Sequence, residues 1–172
     1  MFYDLLRTRR SIRKFSDKEV EKEKIDTILR SALLSPSSRS RRPWEFIVVT
    51  DKELLLKLSQ CREHSSFFLA GAPLGIVVIA DPEASDVWIE DASLSSIIIQ
   101  LSAQSQGLGS CWIQVRQRLH NNKIVEDYIK EILRIPEKYS VENIIAIGYP
   151  GEIKEPYDEK ELLYDKIHFN RY

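Results

Sequence analysis

Apolar positions recur at helical spacing in the first third of the chain. The segment 3–10 predicts a short helix, and the run Ser16-Asp17-Lys18-Glu19 predicts the capped start of a second one. Ser35-Pro36 ends this second helix, because a proline disfavours helical conformation in the residue before it, and opens a loop to Pro43. The segments 52–61 and 63–70 predict two further short helices.

Short apolar runs predict four strands, at residues 44–50, 75–80, 111–115 and 144–148. The run 75–80 is apolar throughout, which is typical of a strand buried on both faces. Residues 88–106 predict the longest helix, apolar almost all round its middle and therefore central, and it ends at Gly107-Leu108-Gly109. A last helix is predicted over 121–134.

These elements predict a single α+β domain that spans residues 1–172, without repeats or linkers. The tail 152–172 is charged and aromatic, without clear periodicity, and we expect it to pack on a partner subunit. The composition, 43% hydrophobic and 30% charged, is that of a globular protein. No apolar run is long enough to span a membrane, the N-terminus has no signal sequence, and the two cysteines have no paired spacing. We therefore expect a cytoplasmic protein.

Charge is distributed unevenly along the chain. Residues 1–42 hold 12 Lys and Arg against 6 Asp and Glu, whereas the remainder holds 13 against 20. The positive segment favours an anionic ligand. Its first basic element is Arg9-Arg10-Ser11-Ile12-Arg13, whose guanidinium groups suit bidentate phosphate binding; a solvated basic helix end is the alternative.

The second basic element is the loop Ser37-Ser38-Arg39-Ser40-Arg41-Arg42, which is either a set of donors for an anion or a flexible exposed loop. Nucleic acid is disfavoured as the ligand, because the rest of the chain is acidic and has no nucleic-acid motif. The run 107–112 lacks a third glycine and precedes a strand, so it is no dinucleotide fingerprint. Neither metal-ligand spacing nor an acid–base constellation occurs, and a cofactor must then supply any chemistry.

Five segments, in order along nearly the whole chain, resemble the nitroreductase family. They are Arg9–Phe15, Ser35–Phe46 with its Ser-Pro-Ser-Ser and Arg-Pro-Trp-Glu-Phe runs, Glu90–Ser93, Gly107–Ile113 and Ile147–Glu152. The resemblance implies an α+β fold with a central, mostly antiparallel mixed sheet flanked by helices, and an intertwined homodimer. It also implies flavin mononucleotide (FMN), bound at the dimer interface by residues of both subunits.

Transferred by position, the resemblance implies that one subunit contributes Arg9, Arg10 and Ser11 near the phosphate and ribityl chain, and Arg13 at the pyrimidine edge of the ring. The other subunit would contribute Pro36, Ser37, Ser38 and Ser40. Trp112, Ile113 and Gln114 would line the ring, with a backbone N–H near Gln114 facing flavin N5.

The implied reaction takes hydride from NADH or NADPH through the flavin to a small-molecule acceptor, such as a nitroaromatic compound or a quinone. Two alternatives remain open: a flavin-binding dimer without turnover, and a dehalogenating or flavin-fragmenting relative. Ser40 and Arg42 replace the family's usual Asn and Gln, and Ile97-Ile98 replaces a common Gln-Asn pair. Lys154 and Lys160 are the candidates for the basic residue that many members place after Gly-Tyr-Pro.

Overall fold

A computed structural model describes all residues, 1–172. Its strands, in chain order, are β1 (Trp44–Val49), β2 (Leu74–Ala80), β3 (Gly109–Gln114), β4 (Leu119–His120), β5 (Lys123–Ile124) and β6 (Ser140–Gly148). The main sheet has the order β1-β2-β6-β3, and each neighbouring pair in it is antiparallel. A small antiparallel ribbon of β4 and β5 lies apart from it.

The helices are α1 (Phe2–Thr8), α2 (Lys22–Leu33), α3 (Lys52–Ser59), α4 (Trp88–Ser105) and α5 (Val125–Leu133). Single 3-10 turns occur at Ser38–Ser40, Phe67–Gly71, Glu159–Glu161 and Tyr164–Lys166. None of the helices combines the length and the hydrophobicity needed to cross a lipid bilayer.

Side chains alternate across the sheet, so each face builds its own core. Ile144 and Ala146 of β6 pack with residues of α3 and α5, whereas Ile145 and Ile147 pack with residues of α2 and α4. All of β2 is buried. The predicted α+β class, the burial of this strand and the central position of the long helix are therefore confirmed.

The predicted capped start of α2 at Ser16 is wrong. The helix begins at Lys22, and no side chain caps it. The backbone N–H of Ser16 instead donates to the carbonyl of Tyr149 at 2.9 Å, and Phe15 pairs with Pro150, so Ser16 ends an extended pairing with the chain just after β6. A tertiary contact thus outweighs a local capping signal, whose worth is only about 1 kcal/mol.

Three other predicted boundaries are wrong. The predicted helix 63–70 is a 3-10 turn over Phe67–Gly71, preceded by a bend in which the Ser66 hydroxyl donates to the carbonyl of Ser59 at 2.6 Å. The predicted helix 121–134 begins only at Val125, because Asn121 and Asn122 take the left-handed conformation of a tight turn between β4 and β5. The last strand begins at Ser140 rather than at residue 144.

Candidate functional site

The basic segment after α1 is extended rather than helical. Helix α1 ends at Thr8, and Arg9 already has extended backbone angles. The N–H of Ile12 donates to the carbonyl of Ser110 at 3.0 Å, and Ser11 pairs with Ser110 in a parallel bridge. Side chains alternate along an extended segment, so Arg9, Ser11 and Arg13 share one side of it while Ile12 is buried.

The segment after β6 lies against this basic segment. Gly151 donates its N–H to the carbonyl of Lys14 at 2.8 Å. The Oε1 atom of Glu152 accepts the backbone N–H groups of Arg13 at 2.6 Å and Lys14 at 3.1 Å. These backbone donors hold the pKa of the Glu152 carboxyl below its ordinary value, Arg13 contributing most. Glu152 therefore fixes the main chain that carries Arg13.

Lys154 joins the same cluster. Its Nζ donates to the carbonyl of Ser11 and lies 3.6 Å from Oε1 of Glu152. Burial raises the pKa of the Cys111 thiol, while the positive charges of Arg13, Lys154 and Arg9 act on it in the opposite direction. Lys154 thus contacts the extended basic segment, and the charges of Arg9, Arg13 and Lys154 all act on Cys111 of β3. Of the two lysines considered from the sequence, Lys154 reaches this place and Lys160 lies in the exposed tail.

Arg10 faces away from this cluster. It donates to the carbonyl of Glu155, and its guanidinium lies 4.4 Å from the centre of the Tyr157 ring. Tyr157 also donates its N–H to the carbonyl of Arg7 at 3.0 Å. The beginning of the tail therefore packs on its own chain, and the contacts of Arg10 are structural in this subunit.

The strand β3 carries the residues that were predicted to line the flavin ring. Trp112 and Gln114 are partly exposed on one face, and the indole Nε1 of Trp112 donates to Oε1 of Gln114 at 2.9 Å. The side-chain amide of Gln114 donates to the carbonyl of Arg116 at 3.1 Å. Ile113 is only 1% exposed and belongs to the core, so it has only its backbone to offer a ligand.

The second basic element, residues 37–42, is a hydrogen-bonded loop. The N–H of Ser38 donates to Oδ1 of buried Asp91 at 2.8 Å, and the N–H of Arg42 donates to the hydroxyl of Ser37 at 2.8 Å. Arg39, Ser40 and Arg42 all have positive φ, at 51°, 56° and 49°. Left-handed conformations of non-glycine residues concentrate at functional sites. Two hydrogen bonds thus hold the backbone of this loop, while residues 39–42 are exposed.

The two basic elements lie at opposite ends of α4. Ser38 is bonded to Asp91, near the helix start, whereas Thr8, next to Arg9, is 3.4 Å from Nε2 of Gln104 near its end. Thirteen residues of α-helix span roughly 20 Å. One chain therefore does not bring both elements to the same phosphate group.

Three residues of this region have no assignment from the sequence. Glu152 is the last residue of the family-like segment Ile147–Glu152, but its role depends on contacts with a distant part of the chain. Glu142 is buried in β6, and Arg116, just after β3, is its ion-pair partner. A charged residue at the edge of the apolar run 144–148 is the signal that could have revealed Glu142.

The residues around β3 are chemically suited to the phosphate and to the flavin ring of FMN. Arg9 and Lys154 would supply positive charge for a phosphate, Arg13 would supply it at the ring, and the extended backbone beside Ser110 would supply polar groups. Trp112 and Gln114 add a partly exposed surface further along the strand, suited to a planar ring. The fold and this edge define an α+β protein whose main sheet has a basic segment and Lys154 along one edge.

Comparison with known proteins gives the family. The Nitroreductase family profile matches residues 6–61 and 57–149. An FMN-dependent nitroreductase from Clostridium difficile R20291 is 57% identical, with a TM-score of 0.97 over 99% of both chains. A protein of Archaeoglobus fulgidus, provisionally described as an NADH dehydrogenase/NAD(P)H nitroreductase, is 38% identical over 169 residues, 95% of this chain and 94% of its own. The chain belongs to the nitroreductase family of oxidoreductases, as the sequence motifs predicted.

A more distant relative has another activity in its name. An iodotyrosine deiodinase of Thermotoga neapolitana is 24% identical over 191 residues, which covers 95% of this chain and 96% of that protein. Family membership therefore does not by itself decide the acceptor.

Proposed function

We propose that the protein is an FMN-dependent oxidoreductase that uses NADH or NADPH to reduce nitroaromatic compounds, quinones or similar acceptors. The observation that carries the proposal is the contact of Lys154 with Ser11, in the extended segment that carries Arg9 and Arg13 and lies beside Ser110 of β3. The names of the similar proteins support FMN as the cofactor and NAD(P)H as the donor.

Each residue has a distinct task in this proposal. Arg9 and Lys154 neutralise the phosphate, and Ser11 adds a hydroxyl on the same side of the extended segment. Arg13 lies at the pyrimidine edge, where its positive charge stabilises negative charge that develops on the ring. Trp112 and the backbone of Ile113 and Gln114 flank the ring. Bound FMN supplies the redox chemistry, accepting hydride from the nicotinamide and passing it to the acceptor.

We further propose that a second copy of the chain completes each site. The loop with Pro36, Ser37, Ser38 and Ser40 is ordered but lies at the other end of α4 from Arg9, so a partner's loop is needed there. The tail is exposed from residue 155 onward and bears apolar side chains with no cover in this chain. They include Leu162, Leu163, Tyr164, Ile167 and Phe169. This exposed apolar surface is suited to packing against the partner subunit.

The spectrum of the purified protein tests the cofactor. A yellow protein that bleaches with NADH or NADPH without oxygen, and recovers its colour on addition of a nitroaromatic compound or a quinone, supports the proposal. A protein that stays colourless after incubation with FMN refutes it. Bleaching without reoxidation by either acceptor would favour the dehalogenating alternative, and a yellow protein that never bleaches would favour a binding protein without turnover.

Subunit complementation tests the shared site. The variants R9E/R13E and S40E each place negative charge in one half of the proposed site, and each alone should lose FMN. Unfolding and refolding the two together creates heterodimers in which one site has both halves intact, so part of the binding should return. No recovery, in a mixture shown by sedimentation to contain dimers, would refute a site built from two subunits.

A further inference from the structure

Glu142 occupies a β-bulge in β6. The pairing with β2 passes from Val78 opposite Asn143 to Ile79 opposite Val141, so Glu142 has no partner residue on β2. On the other side its carbonyl accepts two N–H groups, those of Val115 at 3.4 Å and Arg116 at 3.2 Å. Bulges beside active sites redirect a side chain. Here the redirected side chain is a carboxyl group inside the protein.

The carboxyl group of Glu142 is poorly partnered for its position. The residue is 3% exposed, and its Oε2 atom is buried without a hydrogen-bond partner. Oε1 accepts from the Ser93 hydroxyl at 3.4 Å, and Nε of Arg116 lies 4.0 Å from Oε2. Burying an ionised carboxylate without hydrogen bonds is costly. Burial accordingly raises the pKa of Glu142, with the charge of Arg116 opposing the rise.

Charged groups of three elements face Glu142. Arg116 follows β3 and favours the ionised form, whereas Glu90 of α4 and Glu126 of α5 favour the neutral form. Glu126 has its own partner, Lys130, at 3.4 Å. The side chain of Arg116 is 27% exposed, so it can exchange the ion pair for solvent. Opposing charges of this kind leave the protonation of Glu142 sensitive to one further charge.

The strand that carries the proposed ring site is hydrogen-bonded to β6 beside Glu142. Gln114 pairs with Asn143 across the sheet. Just beyond this pair, the N–H groups of Val115 and Arg116 donate to the carbonyl of Glu142. Residues on adjacent strands are about 5 Å apart. A cofactor that gains negative charge beside Gln114 therefore raises the affinity of Glu142 for a proton.

We propose that Glu142 takes up a proton from solvent when the flavin beside Gln114 is reduced. This inference rests on the proposed function. Hydride transfer from the nicotinamide delivers two electrons and one proton to the flavin, which gains one negative charge. A second proton, from solvent, protonates the Glu142 carboxylate and releases Arg116 from the ion pair, so total charge is conserved. Glu142 is a positioning residue in this scheme, because it acts through the charge near the ring.

The midpoint potential of the FMN-loaded protein, measured between pH 5 and 9, tests the inference. Each proton taken up with two electrons adds about 30 mV per pH unit to the slope. In the wild type we expect this extra slope just above the pH at which Glu142 ionises in the oxidised protein. E142Q has no proton to gain and should lack it. R116Q, which removes the opposing charge, should move the window to higher pH.

E90Q is the matched control, because it removes a nearby but exposed negative charge and keeps the buried carboxyl group. It should keep the extra slope. Thermal unfolding of each loaded variant verifies that the fold is intact, and R116Q provides a second reading if E142Q is unstable. Equal slopes in wild type and E142Q, with FMN bound to both, would overturn this inference and leave the proposed function standing. A protein that binds no FMN would overturn both.

Discussion

The carboxylate of Glu152 accepts the backbone N–H of Arg13 at 2.6 Å, although 139 residues separate the two in the sequence. The same oxygen accepts the N–H of Lys14 at 3.1 Å. The segment after the last strand thereby holds the basic segment after the first helix. Two regions that carry family motifs become one structural unit at the edge of the sheet.

Replacing Glu152 should weaken the retention of FMN. In E152A both N–H groups lose their acceptor, and hydrogen bonds to a charged group are worth about 1.5 kcal/mol each, so we expect at least a tenfold rise in Kd. E152Q keeps one acceptor oxygen and should lie between the wild type and E152A. Fluorescence titration of the apoprotein with FMN measures both. Equal Kd values for all three proteins would mean that Glu152 does not position Arg13.

The two lysines of the tail should behave differently. K154A removes a charge that lies against Ser11, and we expect the Kd for FMN to rise about tenfold, since a charge-assisted hydrogen bond is lost. K160A removes an exposed charge of the same type from the same tail and serves as the control. The same titration at low and high salt should show a smaller salt dependence for K154A. A larger rise in Kd for K160A than for K154A would indicate that the phosphate does not bind beside Lys154.

Gly109 should tolerate no side chain. A Cβ atom there would come within 2.8 Å of Ile12, whose backbone carries the basic segment. G109A should therefore lower the free energy of unfolding by about 1–3 kcal/mol, the usual cost of overpacking, and also weaken FMN binding. G71A is the control, because nothing lies within 4 Å of a Cβ atom at that position. Denaturant unfolding gives the stability, and a wild-type midpoint for G109A would contradict the predicted clash.

Acid stability should depend on Glu21. Hydrogen bonds from Lys18 and then Tyr149 lower the pKa of the Glu21 carboxyl to about 2, against an ordinary value of 4.5. A lowered folded-state pKa stabilises the fold above pH 4.5, and this contribution is lost as the pH falls toward 2. Denaturation midpoints of wild type and E21Q should therefore converge between pH 4.5 and 2. A constant difference over this window would show that the Glu21 charge is not the cause.

Most elements followed from local patterns. The apolar run of β2 and the apolar middle of α4 identified a buried strand and a central helix, because burial on every side leaves no polar face. Gly107 has φ of +76°, as expected for the glycine that ends this helix. The start of α2 and the turn before α5 did not follow, because contacts with Tyr149 and a short ribbon outweighed local propensity.

By itself the sequence determined the α+β class, the nitroreductase family and the basic character of the segment around Arg9. Each of these depends on residue types and their order along the chain. Only the tertiary structure decided that Lys154 rather than Lys160 reaches that segment, that Arg10 is occupied by the tail, and that the loop at Ser38 lies at the far end of α4. It also placed Glu142 in a bulge. The physical reason is that these are contacts between segments far apart in the sequence, and their geometry exists only after the sheet has formed.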